Sequence, residues 1–161
     1  MAPTGSATTG LSRVLLVEDN PDHAELVRRS LSEHRANTIL TVLPDGEAAL
    51  DFLLRRKAWE HDGGGGRPQL ILLDLRLPKL DGLQVLRELK TSKELRDIPI
   101  VVLTTSEAEA DILRAYEFHV NSYLVKPVDF DRFVNLMGDV ERYWFDRNRQ
   151  PQERWPSSAP A

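Results

Sequence analysis

Three carboxylates stand directly after short apolar runs in this chain: Glu18 and Asp19 follow Val14 to Val17, and Asp74 follows Leu70 to Leu73. Thr104 closes a third run, Ile100 to Leu103, and Lys126 follows a fourth, Tyr123 to Val125. Carboxylates brought within a few ångströms repel one another, and burying them is tolerable only when a cation neutralises the charge. Oxygen ligands with no cysteine in the chain, and with His23, His34, His61 and His119 scattered without ligand spacing, suit a hard ion such as Mg²⁺. Phosphoryl transfer needs an attacking oxygen, a metal on the equatorial oxygens, a cation and a hydroxyl donor. Asp74, Mg²⁺, Lys126 and Thr104 could supply these in turn. Singly, each residue has an ordinary use: Glu18-Asp19 before Asn20-Pro21 as a solvated helix-entry turn, Asp74 as a strand-end cap, Lys126 as a surface lysine. Only a fold that gathers these ends would make them one site.

The elements that must do the gathering are legible. Five runs rich in Val, Ile and Leu (Val14 to Val17, Ile39 to Leu43, Leu70 to Leu73, Ile100 to Leu103, Tyr123 to Val125) read as strands. Most are continuously apolar, as in parallel strands buried on both faces. Helical patterns fill the gaps. The first starts at Asn20 as N-cap with Pro21 next, and turns Leu26, Val27 and Leu31 inward. The second runs from about Gly46 to Lys57 and the third from about Gly82 to Lys90. The fourth opens on a capping box, Ser106-Glu107-Ala108-Glu109, followed by Ile112, Leu113 and Tyr116. The fifth runs from about Asp129 to Phe145. Strand and helix alternating five times predict an α/β fold with a parallel sheet, helices on both faces, and a ligand site beyond the carboxyl ends of the strands. Glu18, Asp19, Asp74, Thr104 and Lys126 all fall at that edge.

Composition bounds the rest. The 161 residues suit one domain. With 41% hydrophobic and 29% charged residues, a wholly disordered chain is excluded. A net charge of −4 and no basic block leave nucleic-acid binding without an electrostatic source. No run approaches the roughly 20 apolar residues of a membrane span, and Met1-Ala2-Pro3-Thr4-Gly5-Ser6 lacks the regions of a signal peptide, so a cytoplasmic location is expected. Residues 1–11 and 147–161, rich in Pro, Ser, Ala and Gly or polar, read as disordered tails around a domain over 12–146. The Gly63 to Gly66 run lacks the Lys-Ser/Thr ending of a phosphate loop and reads as a connector.

From 12 to 146 the chain resembles bacterial response-regulator receiver domains. Four motifs in the right order carry the likeness: Val14-Leu15-Leu16-Val17-Glu18-Asp19-Asn20, Asp74-Leu75-Arg76-Leu77-Pro78 with Asp81-Gly82, Leu103-Thr104-Thr105-Ser106, and Tyr123-Leu124-Val125-Lys126-Pro127. The resemblance implies a doubly wound, flavodoxin-like (βα)5 fold with strand order 2-1-3-4-5. It implies that Asp74 takes a phosphoryl group from a sensor histidine kinase, with Mg²⁺ held by Asp19 and Asp74, by Glu18 through water, and by the backbone carbonyl of Arg76. Lys126 would pair with Asp74 and then with the phosphate, across a cis bond to Pro127. Thr104 would move to the phosphate and let Tyr123 rotate inward. Arg76 departs from the small polar residue common at its place, and is expected to shield the acyl phosphate or to pair with Glu18, slowing autodephosphorylation.

The last helix carries apolar residues over more of its circumference than one core stripe needs. A homodimer is therefore expected through the fourth-helix, fifth-strand and fifth-helix face, with Ile112, Tyr116, Phe133, Met137, Val140 and Trp144 on it. No helix-turn-helix or second core follows Phe145, so output is expected through a partner. The connector from Trp59 to Arg67, the segment from Leu103 to Arg114 and the aromatic last helix resemble single-domain regulators that pair with bacterial phytochrome histidine kinases. Two other readings use the same residues. An Asp-nucleophile phosphohydrolase would want a second carboxylate where Arg76 stands, and a degenerate receiver acting as a scaffold would not need the intact acidic set.

Overall fold

The computed structural model describes residues 12–34, 37–55 and 67–150. Along the chain run β1 (Ser12–Val17), α1 (Pro21–His34), β2 (Thr38–Leu43), α2 (Gly46–Leu50), β3 (Leu70–Leu73), α3 (Gly82–Thr91), β4 (Ile100–Thr104), α4 (Glu109–Glu117), β5 (Ser122–Val125) and α5 (Phe130–Glu141). Wider, π-type turns continue α2 over Asp51–Arg55 and α5 over Arg142–Arg147. The predicted end of the second helix at Lys57, the N-terminal tail, residues 151–161 and the Gly63 to Gly66 connector lie outside the described residues; of the expected tail over 147–161, Arg147 closes the last helical turn and the Gln150 side-chain amide donates to the Gln69 carbonyl at 2.9 Å.

All neighbouring strands are parallel and their order is β2-β1-β3-β4-β5, as expected. Side chains alternate across the sheet, which explains the unbroken apolar runs. Leu15, Val17, Ile71, Leu73, Ile100 and Val102 pack under α2, α3 and Ala115 of α4. Val14, Leu16, Leu70, Leu72, Val101 and Leu103 pack under α1 and α5, against Ala24, Val27, Leu31, Phe133, Met137 and Val140. Burial of such a side chain contributes about 1.5–3 kcal/mol. β2, at the sheet edge, is half-buried, and Ile39 is exposed.

Caps set where the helices begin. The Asn20 carboxamide oxygen accepts from the amides of Asp22 (2.9 Å) and His23 (3.3 Å), with Pro21 at the first helical position. Asp45 caps α2 by accepting from the Ala48 amide, and Asp81 forms a reciprocal box with Gln84 at α3. Asp129 caps α5 through the Arg132 amide.

The expected box at Ser106 does not form. α4 begins at Glu109, and its N-cap, Ala108, offers no side chain. The Ser106 hydroxyl lies ahead of the helix, donating to Asp111 Oδ2 at 2.6 Å in a charge-assisted bond and accepting from the Ala108 amide at 3.3 Å. Of α4, Ala115 is the buried residue, whereas Leu113 (58%) and Tyr116 (53%) are exposed.

The expected dimer face is corrected as well. Phe133, Met137 and Val140 are 2%, 0% and 5% exposed and belong to the core against α1 and the sheet. Their spacing of four and three residues is the stripe a helix needs to cover a sheet, so they are not available to a second chain. Trp144 is half-buried against the same core, with Tyr143 edge-on to it at 4.9 Å between ring centroids. Among the described residues no helix is long and apolar enough to cross a membrane.

Candidate functional site

Strand register builds the site. Val17 pairs with Leu73, so Glu18 and Asp74 leave adjacent strands side by side, and the Asp74 amide donates to the Val17 carbonyl at 3.1 Å. Thr104 pairs with Val125, and the next residue, Lys126, donates its amide to the Thr104 carbonyl at 2.7 Å. Gly82 lets the turn after β3 close tightly: a Cβ there would lie 2.2 Å from the Asp74 carbonyl oxygen.

Glu18, Asp19 and Asp74 each offer a carboxylate oxygen within 4.8 Å of the others. Glu18 and Asp74 are buried, and Asp19 is exposed at the rim. Lys126 stands among them with its side chain 4% exposed; its ammonium donates to Glu18 Oε2 at 2.6 Å and to Asp74 Oδ2 at 3.2 Å. Burial pushes the Glu18 carboxyl up to about 7, with the Lys126 hydrogen bond working against it and the negative charge of Asp74 adding to it. With all three ionised, one ammonium leaves the cluster two charges short of neutrality. A hard divalent cation with oxygen ligands would make up that difference.

The third donor bond of Lys126 reaches His23 Nδ1 at 2.9 Å, a residue that sequence spacing had set aside. An ammonium can only donate, so His23 accepts at Nδ1 and carries its proton on Nε2. Its pKa is lowered by burial and by the Lys126 charge, in keeping with a neutral ring. The available signal was its place in the first turn of α1, directly beyond the acidic pair, rather than any spacing to another histidine.

The remaining expected residues divide. Thr104 is fully buried at the end of β4, and its hydroxyl accepts from the Ser106 amide at 3.4 Å; among the described residues it makes no bond to Asp74. The half-buried Tyr123 donates its hydroxyl to the Ser106 carbonyl at 2.9 Å, and burial raises its pKa. The Arg76 amide donates to Asp74 Oδ1 at 3.2 Å, but its guanidinium does not pair with Glu18; Nη2 donates to Asp111 Oδ2 at 2.9 Å. The side chain leaves β3 toward β4 and α4, away from Glu18 at the end of β1 on the opposite side of β3. The bond between Lys126 and Pro127 is trans, not cis. Even before proline the trans form is intrinsically favoured, by about 0.5–1 kcal/mol.

The family model described as response regulator receiver domain matches residues 14–137. Among curated relatives, the probable methanogenesis regulatory protein FilR2 of Methanothrix harundinacea is 47% identical over 139 residues, covering 86% of this chain and 86% of that protein. The response regulator Rcp1 of Synechocystis is 41% identical over 133 residues, covering 83% and 88%. Among solved structures, the phosphorylated cyanobacterial phytochrome response regulator RcpA superposes with a TM-score of 0.81 at 34% identity, covering 88% of this chain and 99% of that one. The Mn²⁺-bound form of Rcp1 superposes at 0.79 with 40% identity, covering 87% and 99%. By its sequence, its strand order and the acidic cluster at the carboxyl edge of its sheet, this chain belongs to the response-regulator receiver family.

Proposed function

We propose that this protein is a single-domain response regulator, with residues 12–146 as its receiver unit, which accepts a phosphoryl group on Asp74 from a sensor histidine kinase. The observation that carries the reading is the placement of a buried Asp74 in a three-carboxylate cluster with an ammonium 3.2 Å from its Oδ2. An Asp74 carboxylate oxygen would attack phosphorus, the P–N bond to the kinase histidine would break, and the electron pair would leave with the imidazole. Asp19 and Asp74 would hold Mg²⁺ directly, Glu18 through water, and Arg76 through its backbone carbonyl. Bound Mg²⁺ would spread the charge developing on the equatorial phosphoryl oxygens. Lys126 would follow the charge from carboxylate to phosphoryl group, and Thr104 would supply a hydroxyl donor after a small movement. Tyr123, tied through its hydroxyl to the segment that follows Thr104, would carry that movement to α4.

A phytochrome-type kinase is the partner we favour. The support is that several structural relatives at 34–41% identity are described as phytochrome or bacteriophytochrome response regulators. A homodimer would use the exposed part of the α4–β5–α5 face, with Tyr116 and the half-buried Ile112 and Trp144. A cytoplasmic location fits a kinase partner of this kind. The test is incubation with acetyl phosphate and Mg²⁺ followed by intact-mass analysis. Wild type should gain one phosphoryl group and Asp74→Asn none; labelling of both would refute Asp74 as acceptor. Phosphotransfer from a purified phytochrome kinase would then test the partner, and light scattering before and after labelling the dimer.

A further inference from the structure

The polar groups at the rim of the site form one chain that the receiver chemistry does not require. Asp111 Oδ2, on the first turn of α4, accepts from Arg76 Nη2 at 2.9 Å and from Ser106 Oγ at 2.6 Å. Ser106 Oγ in turn accepts from the Ala108 amide at 3.3 Å, and the Ser106 carbonyl takes the Tyr123 hydroxyl at 2.9 Å. At the other end of the Arg76 residue, its own amide is bonded to Asp74 Oδ1. Arg76 is thus fastened at two points, by its backbone to the acceptor and by its guanidinium to α4. Its side chain, 67% exposed, runs from the end of β3, where Asp74 sits, to the first turn of α4, which follows the neighbouring strand β4. The Asp74 side chain is 7% exposed, and the Asp111 side chain 20%.

We infer that Asp111 is a positioning residue that straps Arg76 across the β3–β4 edge and thereby limits water's access to phosphorylated Asp74. The inference rests on Asp74 being the acceptor. In the step it controls, a water oxygen attacks phosphorus and the P–O bond to Asp74 breaks. The carboxylate leaves with the electron pair, and inorganic phosphate and a proton are released. A guanidinium free to swing into solvent would leave that approach open, whereas one held by Asp111 and by its own backbone would not. Ser106 stiffens the anchor by sharing the same carboxylate oxygen.

The experiment labels the full-length protein with acetyl phosphate and Mg²⁺, removes the donor, and follows loss of the acyl phosphate by intact mass. Asp111→Ala should speed the decay about two- to fivefold, the range open to one exposed ion pair. Arg76→Ala should speed it by a similar factor, and the double variant should be no faster than either, since both substitutions remove one strap. Asp111→Glu, which keeps the charge, should restore most of the wild-type lifetime. A lifetime unchanged in Asp111→Ala, or effects that multiply in the double variant, would overturn the strap. Matched melting temperatures among the variants separate positioning from unfolding: an Asp111→Ala that decays faster only because it is partly unfolded would also fail to recover with Asp111→Glu at equal stability, and would count against the inference. Failure of wild type to take up any phosphoryl group would sink the acceptor assignment instead, a different outcome from equal decay in labelled variants.

Discussion

Lys126→Met tests whether the ammonium is what makes the acidic pocket habitable when no metal is present. Methionine keeps most of the length and an apolar stem but removes the one cation bonded to both Glu18 and Asp74 at 2.6 and 3.2 Å. Both carboxylates are more than nine-tenths buried, so water cannot take over the lost interaction. Removing one partner of a buried ion pair costs about 3–5 kcal/mol. Asp19 at the exposed rim can turn outward to relieve part of the repulsion, so the lower end, about 3 kcal/mol, is expected. At roughly 2–4 °C per kcal/mol for a chain of this size, the melting temperature should fall by about 6–12 °C. The measurement is a thermal melt by circular dichroism with EDTA at about pH 8, above the value of about 7 to which Glu18 is raised in the wild type; without Lys126, which holds that value down, Glu18 takes up a proton more readily, a further reason for the lower end of the cost. Excess Mg²⁺ should then stabilise the variant more than the wild type, because the ion enters a pocket one positive charge poorer; a ligand at a hundred times its Kd adds about 2.7 kcal/mol. A variant melting within about 2 °C of wild type in EDTA, or gaining no more than wild type from Mg²⁺, would refute the charge argument.

Gly82→Ala places a Cβ 2.2 Å from the Asp74 carbonyl oxygen and 2.6 Å from Leu75 Cα, both backbone atoms that cannot swing aside. It should cost about 1–3 kcal/mol in urea denaturation and slow labelling by acetyl phosphate, and a fully stable, normally labelled variant would contradict the close approach. Phe133→Ala should destabilise by about 3–5 kcal/mol while leaving the oligomeric state seen by light scattering unchanged, since its ring packs against the core and not against a second chain. Lys90 donates to the carbonyls of Arg96 and Ile98 and to Asn121 Oδ1, and burial lowers its pKa to about 8 from 10.5. Between those two values the unfolded chain holds the proton more firmly, so the cost of burying the charge is full below about pH 8 and is relieved as pH rises toward about 10.5. Wild-type stability measured relative to Lys90→Met should therefore climb over that window; a flat difference would show that Lys90 does not titrate there.

What the sequence determined by itself is the periodic and the local. Runs such as Leu70 to Leu73 announce strands buried on both faces because a parallel sheet clad by helices has no wet side, and Asn20-Pro21 announces a helix start because the Asn20 side chain can answer only nearby amides. Once the strands are parallel, their carboxyl ends share an edge, so Glu18, Asp19, Asp74, Thr104 and Lys126 could be placed together before any coordinates. Side-chain choices between competing partners were decided by the tertiary structure alone. α4 could open at Ser106 or only at Glu109, Arg76 could turn to Glu18 or to α4, and Phe133, Met137 and Val140 could face the sheet or a second chain. His23 entered the site only because α1 returns its first turn to Lys126, a residue 103 positions away in the chain. Pattern and propensity act over a few residues, whereas each of these outcomes turns on which donor or apolar surface the packed helices bring within reach, and that is a property of the assembled fold.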